Sequence, residues 1–129
     1  MCQNNLSRFA PLTVLLVDDD PTLRFTIESM LERLGFHTLV ANHGIHAIQL
    51  VLNETPIFHL VISDFNMPHM NGVETLKVLQ SLRPGLKAIL CSGNTEQECL
   101  QGKTLEDCVF LGKPFGLQEL NAAVNLALG

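Results

Sequence analysis

Three short stretches of unbroken apolar residues constrain this chain more than any other feature, and each runs directly into a polar side chain. Thr13–Val17 (TVLLV) leads into Asp18, Asp19 and Asp20, Leu60–Ser63 (LVIS) into Asp64, and Ala88–Cys91 (AILC) into Ser92. A strand with one wet face alternates apolar and polar residues, so an unbroken aliphatic run this short belongs to a strand covered on both faces. Strands of that kind are parallel, and parallel strands need long, usually helical, crossovers. The connecting segments supply them. After Pro21, Leu23, Ile27, Met30, Leu31 and Leu34 recur at helical spacing, with Gly35 as the stop. Ile45–Leu52 reads as a helix closed by Pro56, and Gly72 opens another with Val73, Leu76, Leu79 and Gln80 along one side, ended by Pro84 and Gly85. Leu117, Leu120, Val124 and Leu128 stripe a final helix, whereas residues 95–106 are polar around Gly102 and predict only a short or weak one. Thr38–Ala41 and Val109–Leu111 are the two shorter strand candidates.

Five strands alternating with five helices imply a single α/β sheet, flavodoxin-like and doubly wound in the (βα)5 manner, with helices on both faces. The 129 residues suit one domain, expected over 12–129 after a loose polar tail at 1–11. Eight basic residues against 13 acidic ones give a net charge of −5, which argues against direct nucleic-acid binding. No apolar run approaches the roughly 20 residues that cross a bilayer, so no membrane insertion is expected. The N-terminus lacks the apolar stretch of an export signal, and Cys2, Cys91, Cys99 and Cys108 form no C-x-x-C pair. Reduced thiols and a cytoplasmic location are the expectation.

In an open α/β sheet the function sits at the carboxyl ends of the strands. Here those ends carry Asp18, Asp19 and Asp20, then Asp64, then Ser92, with Lys113 just past the fifth strand. Clustered carboxylates repel one another unless a cation joins them, and an all-oxygen set suits Mg2+. Asp20, beside Pro21, reads better as a helix N-terminal charge than as a ligand. Lys113 is expected to stand solvent-accessible in the acidic cleft.

The pieces LLVDDDP (15–21), VISDFNMPHMNG (61–72), LCSG (90–93) and GKPF (112–115) occur in one order, with 45 residues from Asp19 to Asp64 and 21 from Ser92 to Lys113. In these motifs residues 12–128 resemble a bacterial two-component response-regulator receiver domain. The resemblance implies that Asp64 is the phosphoacceptor, taking a phosphoryl group from a partner's phosphohistidine. It implies that Asp18, Asp19, Asp64 and the backbone carbonyl of Asn66 hold Mg2+, and that Lys113 pairs with a phosphoryl oxygen. Ser92 stands where a Thr is more usual and would bond the phosphoryl group. Phe110 takes the place of a rotameric switch, Gly93 leaves the site accessible, and the Lys113–Pro114 bond is of the kind often found cis. The implied partners are a histidine kinase or histidine phosphotransfer protein and a downstream protein target. The chain itself is not expected to be an enzyme in the ordinary sense, beyond catalysing its own phosphorylation and dephosphorylation.

Other readings remain open at this point. Asp18, Asp20 and Thr22 also fit the D-x-D-x-T nucleophile motif of haloacid-dehalogenase-like phosphatases, which have no role for Asp64 and need a late acidic pair where this chain has only Glu119. A phosphorylation-independent interaction module usually lacks one of the acidic pair, the acceptor or the lysine, all of which are here. The residues after Pro114 suffice for one helix, so no output domain is expected, which suits either a stand-alone receiver or the receiver module of a hybrid histidine kinase. His43 and His46, three apart, are weighed as a metal pair or as surface histidines, and His69 as a pH sensor or a solvated loop residue. Phe25 lies roughly opposite the apolar stripe of the first helix, one turn from Asp19, and is the candidate docking residue for a phosphodonor.

Overall fold

The structure, a computed structural model, describes residues 12–53 and 57–129; the expected tail at 1–11, with Cys2, and the helix-closing Pro56 lie outside them. The elements run β1 (Thr13–Val17), α1 (Pro21–Arg33), β2 (His37–Ala41), α2 (Gly44–Leu52), β3 (Leu60–Asp64), α3 (Gly72–Leu82), β4 (Lys87–Ser92), α4 (Glu96–Leu100), β5 (Cys108–Gly112) and α5 (Leu117–Leu128). All five strands are parallel, in the order β2-β1-β3-β4-β5. The chain moves outward from β1 to β2 and then returns to place β3 on β1's other side. That reversal opens a crevice at the carboxyl ends of β1 and β3.

Strand alternation divides the core into two layers. Leu15, Val17, Val61, Ala88 and Leu90 pack under Ala47 and Val51 of α2, Leu76 and Leu79 of α3, and Cys99 of α4. Val14, Leu16, Ile62, Ile89 and Leu111 pack under Ile27 and Leu31 of α1 and Leu120 and Val124 of α5. Both faces of β1, β3 and β4 are therefore dry, as their unbroken apolar runs predict.

The helix ends follow from named side chains. Asp20 caps α1, accepting from the backbone N–H groups of Thr22 and Leu23 at 3.0 and 3.3 Å. Gly35 ends it at φ 96°, a left-handed conformation that costs a residue without a Cβ little. Asn71 and Glu74 close a reciprocal capping box on α3, as do Thr95 and Glu98 on α4. α4 has only five residues and then passes through left-handed Gln101 and Gly102, which accords with the weak helix expected there. Gln80, expected on the apolar side of α3, points to the backbone instead. Its Nε2 donates to the carbonyls of Leu86 at 3.0 Å and Glu106 at 2.6 Å. Strands β2 and β5 begin one residue earlier than their side chains suggest, because backbone pairing reaches His37 and Cys108.

Candidate functional site

Val17 of β1 pairs with Ser63 of β3, so the next residues, Asp18 and Asp64, emerge side by side at the sheet's upper edge. Asp18, Asp19 and Asp64 each place a carboxylate oxygen within 4.8 Å of the others. Asp18 and Asp64 are buried, at 1% and 7% exposure, and Asp19 is open to solvent. Asp18 is held closely. Its N–H donates to the Ala41 carbonyl at 3.2 Å, its Oδ1 accepts from the Asp20 N–H at 2.9 Å, and its carbonyl accepts from Arg24 Nη1 at 2.9 Å. Its Oδ2 is buried and has no hydrogen-bond partner among the described residues.

A buried carboxylate with an unpartnered oxygen, clustered with two more carboxylates, is unfavourable by itself. A hard cation satisfies it, and Asn66, in the exposed loop after β3, has a backbone carbonyl that no donor reaches among the described residues. The donor set is all oxygen with an open side, which fits Mg2+. Without a cation, burial pushes the Asp18 carboxyl up to about 6 from 3.8; the Asp20 N–H opposes the rise, Asp64 adds to it, Lys113 opposes it and Asp19 adds to it. Below the unfolded value both states carry the proton, so the shift contributes nothing to stability. As pH rises from 3.8 through about 6, the unfolded chain releases a proton that the native chain keeps, and metal-free stability falls. Asp18→Asn removes that penalty. In chelator the variant is expected to exceed wild type by roughly 1–3 kcal/mol at about pH 8, with the gap closing toward about pH 4. Urea unfolding at the two pH values checks it, and a constant gap would mean that Asp18 does not carry the effect.

Lys113 stands in the acidic cleft, as expected, though less open to solvent than the sequence suggests. It reaches into the pocket and donates to Asp64 Oδ1 at 2.5 Å, with its side chain three-quarters covered. The cause is the backbone after β5: the Lys113 N–H donates to the Ser92 carbonyl at 2.8 Å, which turns the side chain toward β3. The Lys113–Pro114 bond is cis. Ser92, at the end of β4, is buried, and its Oγ accepts from the Asn94 N–H at 2.9 Å. Gly93 faces open space. Phe110 is half-buried on β5 and borders a crevice with Leu90, Glu96, Leu100, Leu105 and Cys108.

The remaining candidates lie apart from this pocket. Asp20 is committed to the α1 cap. Phe25 is 69% exposed on α1. His43 precedes α2 as its N-cap, not on the helix as the spacing suggests. His43 Nδ1 accepts from the His46 N–H at 3.1 Å, and His46 Nδ1 accepts from the Asn42 N–H at 3.0 Å. A neutral imidazole with Nδ1 so used carries its proton on Nε2, which leaves no lone pair for a metal. His69 is exposed, at φ 69° in the loop after Asp64. Cys91, Cys99 and Cys108 are free thiols, and burial pushes those of Cys91 and Cys108 up, Cys108 to about 11. Sequence reasoning overlooked Arg24; the available signal was a basic residue in the opening turn of a helix.

Residues 14–125 match the family model described as the response regulator receiver domain. The two-component response regulator ORR22 of rice (Oryza sativa subsp. japonica) is 36% identical over 110 residues, covering 84% of this chain and 16% of that protein. The chain thus spans about a sixth of the length of that plant relative. Sporulation initiation phosphotransferase F of Bacillus subtilis (strain 168) is 30% identical over 112 residues, covering 86% of this chain and 89% of that protein. The solved structure of Vibrio cholerae chemotaxis protein CheY4 superposes with a TM-score of 0.78 at 28% identity, covering 92% of this chain and 100% of that one.

Proposed function

The chain belongs to the response regulator receiver domains of two-component systems, and on that premise we propose that it is a phosphoacceptor whose Asp64 receives the phosphoryl group of a partner's phosphohistidine. The observation that carries the reading is a buried carboxylate, Asp64, paired to one lysine and set against two further carboxylates, one with an unpartnered buried oxygen. An Asp64 carboxylate oxygen attacks phosphorus, the phosphorus–nitrogen bond breaks, and the imidazole leaves with its electron pair. Phosphoryl transfer spreads charge over three oxygens, so the protein's task is positioning and neutralisation. Mg2+, held by Asp18, Asp19, Asp64 and the Asn66 carbonyl, supplies part of that neutralisation when bound. Lys113 supplies the rest, exchanging Asp64 Oδ1 for a phosphoryl oxygen. The Ser92 hydroxyl proton has only a weak acceptor at 3.4 Å, Asn94 Oδ1, and is free to be donated to the phosphoryl group.

Phe110 then reads as the switch. Its crevice has room for about one water, so a ring moving inward requires α4 to yield. The chain's own residues catalyse this transfer and the later hydrolysis of the Asp64 acyl phosphate, in which water attacks phosphorus and inorganic phosphate leaves the regenerated carboxylate. A dehalogenase-like phosphatase would need the Asp20 carboxylate for chemistry, and Asp20 is spent on the α1 cap. The same stretch makes up most of one relative and a small part of another, so the receiver works alone or, as in a hybrid histidine kinase, within a longer protein. Among the described residues no helix is long and apolar enough to cross a membrane. We place the protein in the cytoplasm with a histidine kinase or phosphotransfer protein as donor and a downstream protein as target.

Intact mass after incubation with acetyl phosphate tests the reading. One phosphoryl adduct is expected with Mg2+ and none in chelator; labelling that ignores chelator removes the metal from the reaction. Phe25 is an exposed aromatic on α1, the helix that follows the Asp18–Asp20 turn, and we read it as a donor-docking anchor. Phe25→Ala should slow transfer from the cognate phosphohistidine protein while acetyl phosphate labels at the wild-type rate. Equal slowing with both donors would make Phe25 a support of the fold.

A further inference from the structure

We propose that Arg24 is a positioning residue for the acidic pocket: by holding the Asp18 carbonyl, it sets the turn that presents Asp18 and Asp19 to the cation. The proposal rests on reading that pocket as an Mg2+ site.

Arg24 lies in the opening turn of α1, where the backbone N–H groups make the helix end positive. Anionic side chains are favoured there and cations are not, yet α1 has no acid in its first turn and carries this arginine instead. The helix therefore gives no reason for a guanidinium at this position. Nor is Arg24 spent on neutralisation. Three carboxylates lie just upstream, at Asp18, Asp19 and Asp20, but Arg24 forms no ion pair among the described residues. Its one side-chain hydrogen bond among the described residues runs back six positions, from Nη1 to the Asp18 carbonyl at 2.9 Å.

That bond completes the restraint of Asp18. The Asp18 N–H is tied to the end of β2 through the Ala41 carbonyl, and Oδ1 is tied to the Asp20 N–H. The carbonyl is the remaining backbone handle, and Arg24 is the side chain that holds it. With these three groups fixed, Oδ2 is left as the oxygen without a partner among the described residues, on a carboxylate clustered with those of Asp19 and Asp64. Because the Asp18 carbonyl belongs to the peptide joining Asp18 to Asp19, its direction sets how the second carboxylate follows the first. A planar guanidinium with several fixed donors suits such a task better than a flexible ammonium.

The sign of the effect separates positioning from simple charge. Removing a positive charge near a cation site tightens cation binding by electrostatics alone; removing a positioning bond weakens it. Mg2+ is titrated by calorimetry into the metal-stripped full chain for wild type, Arg24→Met, Arg24→Lys and Asp18→Asn, with thermal unfolding of each in chelator. Arg24→Met is expected to bind roughly tenfold more weakly, the size of loss seen when a group orienting a metal ligand is removed. Arg24→Lys, which keeps the charge and one donor, should lose less. Unchanged or tighter binding by Arg24→Met overturns the proposal, as does a fall in melting temperature in chelator with affinity intact. Should Arg24→Met not fold, Arg24→Lys decides: wild-type affinity in that variant overturns the requirement for a guanidinium. Wild type that binds no Mg2+ overturns the metal reading and the proposal with it, whereas binding in wild type that is lost in Asp18→Asn leaves that reading standing whatever Arg24 does.

Discussion

Asp64→Asn is expected to remain folded and to take up no phosphoryl group from acetyl phosphate under conditions that label wild type. The amide has nearly the shape of the carboxylate but no negative oxygen to attack phosphorus. Two effects on stability oppose each other. Lys113 loses its ionic partner at 2.5 Å, and Asp18 loses a neighbouring charge that disfavours its own ionisation. Lys113 keeps some exposure to water, so the net change is expected to stay within about 1 kcal/mol. Intact mass reads the first outcome and urea unfolding the second. An adduct that persists in Asp64→Asn moves the acceptor elsewhere, with Asp19 the exposed carboxylate of the same cluster.

The largest loss of stability is expected from a single methyl group, at Gly72. This residue opens α3, and its N–H donates to the Phe65 carbonyl at 2.8 Å, closing the loop that follows β3. A Cβ there would strike the Asp64 carbonyl oxygen and come within 2.7 Å of Leu90 Cδ1 and 3.0 Å of Phe65 Cα. Two of these neighbours are backbone and cannot swing aside as a side chain does. Gly72→Ala is expected to cost about 2–4 kcal/mol, at or above the usual range for overpacking, despite alanine's better helix propensity. Because the struck atom belongs to Asp64, acetyl phosphate labelling should slow as well. Gly93→Ala is the control, since a Cβ at Gly93 meets nothing within 4 Å. Equal stability of the two variants would mean that α3 does not approach β3 so closely.

The sheet was readable because its central strands are dry on both faces and therefore continuous in sequence, as in TVLLV and LVIS. The pocket was readable for a related reason: a polar residue ending such a run has nowhere to point except the sheet's edge. What escaped notice depends on where long or amphipathic side chains turn. Gln80 occupies an apolar-stripe position on α3, yet its amide seeks two carbonyls across the layer. Lys113 was expected solvent-accessible in the acidic cleft; its N–H bond to the Ser92 carbonyl and its ammonium on Asp64 leave it more covered than that. His43 is not among the usual capping residues, so spacing alone placed it on a helix that begins after it. Arg24 was passed over, because a backbone carbonyl six residues away leaves no trace in sequence.

The ion pair between Asp64 and Lys113 joins parts of the molecule that resist opening to very different degrees. Asp64 ends a central strand bonded on both sides and covered by the long helix α3, whose buried residues include Val73, Leu76 and Leu79. Lys113 follows β5, an edge strand bonded only to β4, and its neighbour α4 has a single buried residue, Cys99. Elements with few buried contacts open locally at a small fraction of the global unfolding free energy. The α4–β5 side is therefore the compliant half of the site, and the lysine is its tether to the rigid half. A phosphoryl group that draws Lys113 off the Asp64 oxygen would change the tension on that tether, and the half that adjusts is the one whose rearrangement costs least.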